Sequence, residues 1–228
     1  MGIITVITSG KGGAGKSTVT AGLGFALASL GRKVVLLDGD AGLRSLDLML
    51  GISERAVYDM SDIFEGNCEP IKAVYPSPAC EGVSVVPAPV GLEKMCSPDD
   101  MRRLCGGFAC AIAGASRALV VSTPDMVCAR DAQIVGSLLS EKNIPARLVV
   151  NRLRPAPVIS GKMPDVDEII DMAGLQLIGI LPEDEEVAIA NANGRPLPTR
   201  SNAAVCFLNI ARRYLGEHVP LARLEKMI

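Results

Sequence analysis

The fold of this 228-residue chain is decided by the stretch Ser9-Gly10-Lys11-Gly12-Gly13-Ala14-Gly15-Lys16-Ser17-Thr18. This stretch follows an apolar run, Ile3-Ile4-Thr5-Val6-Ile7, and precedes a helical pattern that begins near Lys16. It fits the phosphate-loop template G-x-x-x-x-G-K-[ST], in which glycines let backbone N–H groups turn inward around phosphate oxygens. The positive end of the helix dipole adds to the attraction for an anion. The strand–loop–helix order therefore predicts a nucleotide-binding site.

Three side chains near the loop carry the chemistry expected of such a site. Lys16 is expected to reach the β- and γ-phosphates, and the Ser17 hydroxyl to bind Mg²⁺. Asp38 ends the hydrophobic run 34–37 and is a Walker B candidate that would hold Mg²⁺ through a water. The alternatives are a glycine-rich turn without a ligand, and an aspartate that only ends a strand and caps its turn.

Composition limits the class of protein. Hydrophobic residues make up 49% of the chain while aromatics make up 3%, so the core must consist of aliphatic side chains, as buried parallel strands favour. A net charge of −2 argues against a sequence-independent nucleic-acid binder. The seven cysteines include no C-x-x-C pair, which indicates a reducing, cytoplasmic compartment. The longest small and apolar stretch, 104–115, is too short to span a bilayer.

Strand and helix patterns alternate along the chain, which predicts an α/β fold with a mostly parallel sheet and right-handed crossovers. No linker or repeat interrupts the pattern, so we expect one domain over 1–216 and a tail over 217–228. The predicted strands are 3–8, 33–37, 83–87, 118–122, 147–150 and 176–180. The predicted helices are 16–30, 60–65, 98–105, 128–140, 166–172, 185–190 and 203–215.

Several sequence blocks together resemble the deviant Walker A ATPases of the MinD/ParA family, and within it the MinD branch. Besides the loop, they are Leu37-Asp38-Gly39-Asp40, Gly42-Leu43-Arg44-Ser45-Leu46-Asp47, Ser122-Thr123-Pro124-Asp125, Ala129-Arg130-Asp131-Ala132, Val149-Val150-Asn151-Arg152 and Gly179-Ile180-Leu181-Pro182-Glu183-Asp184. The resemblance covers nearly the whole chain. It implies a P-loop NTPase of three layers (α/β/α), with helices on both faces of the sheet.

The resemblance also implies a function and a set of partners. Proteins of this kind are ATP-binding, ATP-hydrolysing switches that dimerise on binding ATP and Mg²⁺, and regulate placement of the division septum. A MinC-like inhibitor and a MinE-like or equivalent topology factor are the implied protein partners, with no specific nucleic acid. The implied location is the cytoplasm, with peripheral association at the inner face of the cell membrane.

Roles for individual residues follow from the same resemblance. Lys11 would cross the dimer interface to the partner's phosphates, and Lys16 and Asp40 would complete the catalytic set, with Asp40 orienting the attacking water. Ser17 and Asp38 would serve the metal. Asn151 would read adenine, although it could instead be a turn residue, as Arg152 could be a surface charge. The full nucleotide-binding set is Gly10, Lys11, Gly12, Gly13, Ala14, Gly15, Lys16, Ser17, Thr18, Asn151, Arg152, Pro182 and Asp184.

One departure from the family pattern bears on catalysis. Relatives carry a hydrophobic strand ending in Asp-x-x-x-Gly, the Walker B and switch II segment, ahead of the strand 118–122. Here residues 101–115 occupy that place, and they include no β-branched run that ends in aspartate. A lost central strand leaves backbone groups and apolar faces for neighbours to cover. We therefore predict that nucleotide binding survives better than hydrolysis.

The tail 217–228 has two alternative interpretations. Leu221, Leu224, Met227 and Ile228 could form one face of a short amphipathic helix, a weak and dimer-dependent membrane anchor, or the tail could simply fray.

The competing functions are a non-hydrolysing nucleotide-binding scaffold, a ParA-type partitioning ATPase and an iron–sulfur carrier. Balanced charge disfavours the second of these, and the absence of ligand spacing among Cys96, Cys105, Cys110 and Cys128 disfavours the third.

Overall fold

A computed structural model of the chain describes residues 2–39, 44–89 and 115–221. These residues group into two compact units. Of the described residues, the first unit comprises 2–19, 115–185 and 198–221, and the second comprises 20–39, 44–89 and 186–197. The phosphate loop, Asn151 and the start of the C-terminal tail all belong to the first unit.

The first unit is built on four parallel strands in the order β1-β5-β6-β7. The strands are β1 (Thr5–Thr8), β5 (Arg117–Ser122), β6 (Ala146–Leu153) and β7 (Leu177–Pro182). Buried residues run almost without interruption along β5 and β7, as expected for strands covered on both faces. Because all four strands are parallel, their carboxyl ends lie at one edge of the sheet.

Helices of the first unit begin at clear capping signals. Asp125, Asp165 and Ser201 accept hydrogen bonds from backbone amides at the starts of α4 (Met126–Glu141), α6 (Val166–Ala173) and α8 (Asn202–Tyr214). The chain also forms a one-turn helix, α5 (Pro155–Ile159), and the first residues of α1 (Lys16–Ser29). Helix α8 packs on β7, and α4 packs on α6.

The second unit holds a smaller sheet in the order β2-β4-β3. Strands β2 (Val34–Leu37) and β4 (Val83–Val86) are parallel, while the two-residue β3 (Tyr75–Pro76) is antiparallel to β4. The unit also contains the rest of α1, α2 (Ser45–Met49), α3 (Met60–Glu65), a 3-10 turn (Pro70–Ala73) and most of α7 (Glu185–Ala192). Its core is formed by Ala21, Leu36, Leu46, Leu50, Ile52, Val83 and Val85.

All six predicted strands are confirmed, and the mostly parallel sheet with them. Six of the seven predicted helices are found within two residues of their expected ends, and the seventh, 98–105, lies outside the described residues. The elements that sequence patterns missed are β3, α2, α5 and the 3-10 turn. Each is five residues or fewer, too short to show a helical or strand period. The proposed boundary at residue 216 remains a prediction.

Aliphatic residues are exposed along the edge strand β2 and immediately before the edge strand β1. In the described part of the chain, β1 pairs only with β5, and the preceding Ile3 and Ile4 are about half exposed. Within the same limits β2 pairs only with β4, although Val35 and Leu37 are 55% and 59% exposed. Exposed apolar side chains at a sheet edge are unusual, because edge strands normally carry charged residues or are covered by another element. Residues 90–114, where the sequence analysis expects the strand to be missing, lie outside the described ranges, so the loss of that strand remains a prediction.

The first residues of the tail are held against α8. Arg213 donates from Nε and Nη2 to the carbonyl oxygens of Val219 and Pro220, both at 2.7 Å, and from Nη1 to that of Ile178. Partial burial lowers the pKa of the Arg213 guanidinium. Residues 222–228 lie outside the described ranges, so the amphipathic-helix interpretation remains a prediction. Among the described residues, no helix combines the length and the hydropathy needed to cross a membrane.

Candidate nucleotide-binding site

The phosphate loop connects the end of β1 to the start of α1 at the carboxyl edge of the first unit's sheet. Gly13 and Gly15 have φ angles of 78° and 97°, a region that side chains rarely adopt, so glycine is required at both. No atom lies within 4 Å of where a Cβ would stand on Gly12 or Gly13. The loop is thus an open backbone cradle at the amino end of a 14-residue helix, and it fits a phosphate group.

The first glycine of the loop packs against helix α4. A Cβ on Gly10 would lie 2.7 Å from the main-chain carbon and oxygen of Asp131, which is closer than any real side chain approaches a backbone. Position 10 must therefore be glycine because of a neighbour more than a hundred residues away. The contact sets the loop against the first two turns of α4.

Asp125 is the N-cap of α4 and lies near Lys11 of the loop. Its carboxylate accepts from the Thr123 hydroxyl at 2.6 Å and from the Cys128 amide at 2.9 Å. Partial burial tends to raise the pKa of Asp125, but these hydrogen bonds and the nearby Lys11 ammonium outweigh it, so the pKa is lowered. Burial raises the pKa of the neighbouring Cys128 thiol, which therefore acts as a small apolar residue.

We expect Asp125→Ala to lower the free energy of unfolding by about 1 kcal/mol at pH 7, because the helix loses its N-cap. A lowered folded-state pKa stabilises the fold above the ordinary value of about 3.9, and this contribution is lost as the pH falls through the folded-state pKa. Urea unfolding at pH 7 and pH 3 should show a smaller difference at the lower pH. Asp125→Asn, which keeps a capping oxygen, is the control. Equal losses for the two variants at pH 7 would contradict the capping role.

Asn151 is buried at the carboxyl end of β6 and faces the phosphate loop. Its Nδ2–H donates to the carbonyl oxygen of Ala14 at 2.8 Å. The same amide group packs against the α-carbon of Gly15, where a Cβ would overlap it. The structure thus brings the residue predicted to read adenine into direct contact with the phosphate loop; its role toward the base remains a prediction.

The other residues expected around the base lie near the ends of β6 and β7. Arg152 is exposed and has a φ of 58°, at a bulge where the register of β6 with β7 shifts. Pro182 is buried as the last residue of β7, opposite Leu153. Asp184 accepts a hydrogen bond from the Ala203 amide at the start of α8. Asp184 therefore has a structural contact, and a contact with nucleotide remains a prediction.

The residues predicted for metal and water are divided among different parts of the chain. Ser17 is the second residue of α1, in the first unit. Asp38 belongs to the second unit, where it is buried directly after β2 and accepts a hydrogen bond from the Leu46 amide at 3.0 Å. Asp40, the predicted water-orienting residue, lies outside the described residues. The described ranges contain no cluster of three metal-binding side chains, and a P-loop Mg²⁺ needs none, because phosphates and waters supply most of its ligands.

Sequence reasoning missed two residues of the site, Asp125 and Asp131. Both lie in blocks that carry the family resemblance, but no spacing rule relates them to a loop at residues 9–17. The Thr-Pro-Asp step after a buried strand was a usable signal for the N-cap of α4. The approach of Asp131 to Gly10 has no local signature.

A mostly parallel sheet with a phosphate loop between its first strand and first helix defines this chain as a P-loop nucleotide-binding protein. The model of the CobQ/CobB/MinD/ParA nucleotide binding domain family matches residues 5–197, and the chain belongs to that family, within its MinD branch of P-loop ATPases. It is 39% identical to the septum site-determining protein MinD of Bacillus subtilis, over 99% of this chain and 94% of that protein.

Solved structures agree with this placement. The chain resembles the MinD of an Aquifex aeolicus MinC:MinD cell division complex with a TM-score of 0.86 at 34% identity, covering 97% of this chain and 99% of that one. It resembles Pyrococcus horikoshii MinD complexed with Mg-ADP with a TM-score of 0.80 at 26% identity, covering 94% and 96%. The alignment to the B. subtilis protein spans 251 positions, more than this chain has residues, so it includes positions with no counterpart here.

Proposed function

We propose that this chain is an ATP-dependent dimeric switch of the MinD type that regulates placement of the division septum. The observation that carries the proposal is the phosphate loop, open at Gly12 and Gly13 and placed at the start of α1. Family membership supports ATP as the nucleotide, and the Mg-ADP held by the Pyrococcus relative supports Mg²⁺ as its metal.

Each residue of the loop then has a proposed task. Lys16 binds the β- and γ-phosphates, and Ser17 and Thr18 supply hydroxyls to Mg²⁺ and to the α-phosphate. Lys11 is exposed on the loop and can reach a second copy of the chain, where its charge would offset that of the transferred phosphoryl group. When bound, Mg²⁺ neutralises charge on the phosphate oxygens.

The proposed partners are a second copy of the chain and a MinC-like inhibitor, as in the Aquifex MinC:MinD complex. A MinE-like or equivalent topology factor and weak peripheral contact with the cytoplasmic face of the membrane complete the proposal. The tail 217–228 is the proposed membrane contact, and it would act only in the dimer, because two short helices bind lipid more firmly than one.

A single-turnover experiment tests the proposal. Purified protein in excess over radiolabelled ATP and Mg²⁺ is expected to bind the nucleotide, to dimerise and to release ADP slowly. Bound nucleotide is followed by filter retention, the dimer by light scattering, and ADP by chromatography. A protein that binds no ATP, or binds it and stays monomeric, would contradict the proposed switch.

A second candidate is a nucleotide-binding scaffold that does not hydrolyse ATP. The observation in its favour is that residues 101–115 offer no Asp-x-x-x-Gly, the segment expected to complete the magnesium shell and to contact the γ-phosphate. In the same experiment, the scaffold retains intact ATP in a stable dimer, whereas the ATPase converts it to ADP.

A further inference from the structure

The buried amide of Asn151 is placed to control the phosphate loop itself. Its Nδ2–H donates to the Ala14 carbonyl at 2.8 Å, joining residues 137 positions apart, and both residues are buried. A buried backbone carbonyl left without a partner costs about 1–3 kcal/mol, so this hydrogen bond strongly favours one orientation of the loop. The side-chain amide of Asn151 also lies against the α-carbon of Gly15, in the space that a Cβ would occupy.

The geometry of the peptide bond turns this contact into a constraint on the next amide. In a planar trans peptide, the carbonyl of one residue and the N–H of the next point in opposite directions. Holding the Ala14 oxygen toward Asn151 therefore directs the Gly15 N–H away from β6. In an anion-binding loop, the backbone N–H groups must point inward, toward the phosphate.

Asn151 is itself held rigidly. Val149, Val150 and Leu153 of β6 are fully buried, and they place Asn151 at the end of a strand paired on both sides. The register shift between Val150 and Leu153, with Arg152 at a φ of 58°, sets the direction of the chain at this point. Bulges of this kind commonly aim a side chain next to a functional site.

We infer that Asn151 is a positioning residue for the phosphate end of the site: through the Ala14 carbonyl it orients the Gly15 N–H, and so sets affinity for a polyphosphate chain whether or not a base is attached. This inference rests on the proposed nucleotide-binding function. It goes beyond recognition of adenine, because it predicts an effect on ligands that have no adenine.

Inorganic tripolyphosphate with Mg²⁺ is the probe that separates the two roles. We expect Asn151→Asp, which keeps the shape but replaces the donor with a carboxylate, to weaken tripolyphosphate binding at least tenfold in calorimetry with the full chain. Asn151→Ala, which removes the donor without adding charge, should weaken it several-fold. Asn193→Asp is the matched control, because the exposed Asn193 also donates to a backbone carbonyl, that of Ile189 at 2.7 Å. It should change the affinity less than twofold.

Each outcome decides the inference. Asn151 variants that bind ATP more weakly but tripolyphosphate normally would make Asn151 a reader of the base alone. Variants that unfold at lower temperature but bind both ligands normally would make it a merely structural residue. If the wild-type protein binds neither ATP nor tripolyphosphate, the proposed function is wrong and this inference with it. If the wild-type protein binds both ligands, the comparison with the Asn151 variants tests the role of Asn151 alone.

A measurement on the unmodified protein tests the inference even if the Asn151 variants fail to fold. In protein labelled with ¹⁵N-asparagine, the Asn151 side-chain amide protons should exchange slowly with solvent, both with and without tripolyphosphate. Rapid exchange in both states would contradict a hydrogen bond to the Ala14 carbonyl that orders the loop.

Discussion

Lys16→Gln is expected to weaken ATP binding roughly 100-fold. The reason is the loss of a cation that contacts two phosphates, for which we expect about 3 kcal/mol, the upper end of the range for hydrogen bonds to charged groups. Stability should not suffer in parallel, because Lys16 is the first residue of α1 and a cation at the positive end of a helix dipole is unfavourable. Calorimetry with Mg-ATP measures the affinity, and urea unfolding measures the stability.

Lys162→Gln supplies the control for that experiment. Lys162 is an exposed lysine just beyond α5, so its substitution removes the same charge from a residue outside the loop. We expect ATP affinity in this variant to stay within twofold of wild type. If the two variants lost affinity equally, overall charge would explain the effect, and the assignment of Lys16 to the phosphates would be wrong.

Gly10→Ala is expected to lower the free energy of unfolding by about 3 kcal/mol, at the upper end of the range for overpacking. The added methyl group would lie 2.7 Å from the main chain of Asp131, and a helix backbone cannot yield as the tip of a side chain can. Either the loop or the first turns of α4 must move, and ATP affinity should fall as well. Urea unfolding followed by circular dichroism measures the stability change.

Gly12→Ala is the matched comparison. It removes the same backbone freedom from the unfolded chain two residues away, but its methyl group enters open space and its φ is not positive. We expect the free energy of unfolding to change by less than about 0.5 kcal/mol. Equal unfolding midpoints for the two alanine variants would show that the contact between Gly10 and α4 is not close in solution.

Local patterns predicted much of the fold and the centre of the site. Strands β5 and β7 consist mainly of aliphatic residues, and the residues that begin α4, α6 and α8 are ordinary capping residues, so both kinds of element can be predicted from a few positions. The loop likewise carries its chemistry within ten residues. Helices of one turn, such as α2 and α5, were not predicted, because five residues cannot display a period of 3.6.

Contacts between distant parts of the chain could not be predicted in the same way. The position of Asn151 was expected to serve a base, and its hydrogen bond to Ala14 emerges only when β6 lies two strands away from β1 in one sheet. The contact of the Asp131 backbone with Gly10 and the position of the Asp125 carboxylate near Lys11 likewise depend on how the chain folds. Aspartate and asparagine near the ends of strands and helices are too common to indicate which loop they will meet.

The sequence by itself determined that Ser9–Ser17 is a phosphate loop, that the sheet is mostly parallel and that the chain belongs with the deviant Walker A ATPases. The first two follow from glycine, lysine and aliphatic residues at short spacings, where the physics is local, and the third follows from the resemblance of several sequence blocks to that family. Only the tertiary structure decided which side chains hold the loop: Asn151 on one side and α4 on the other. The physical reason is that parallel strands joined by crossovers bring their carboxyl ends to one edge, so residues remote in sequence meet there.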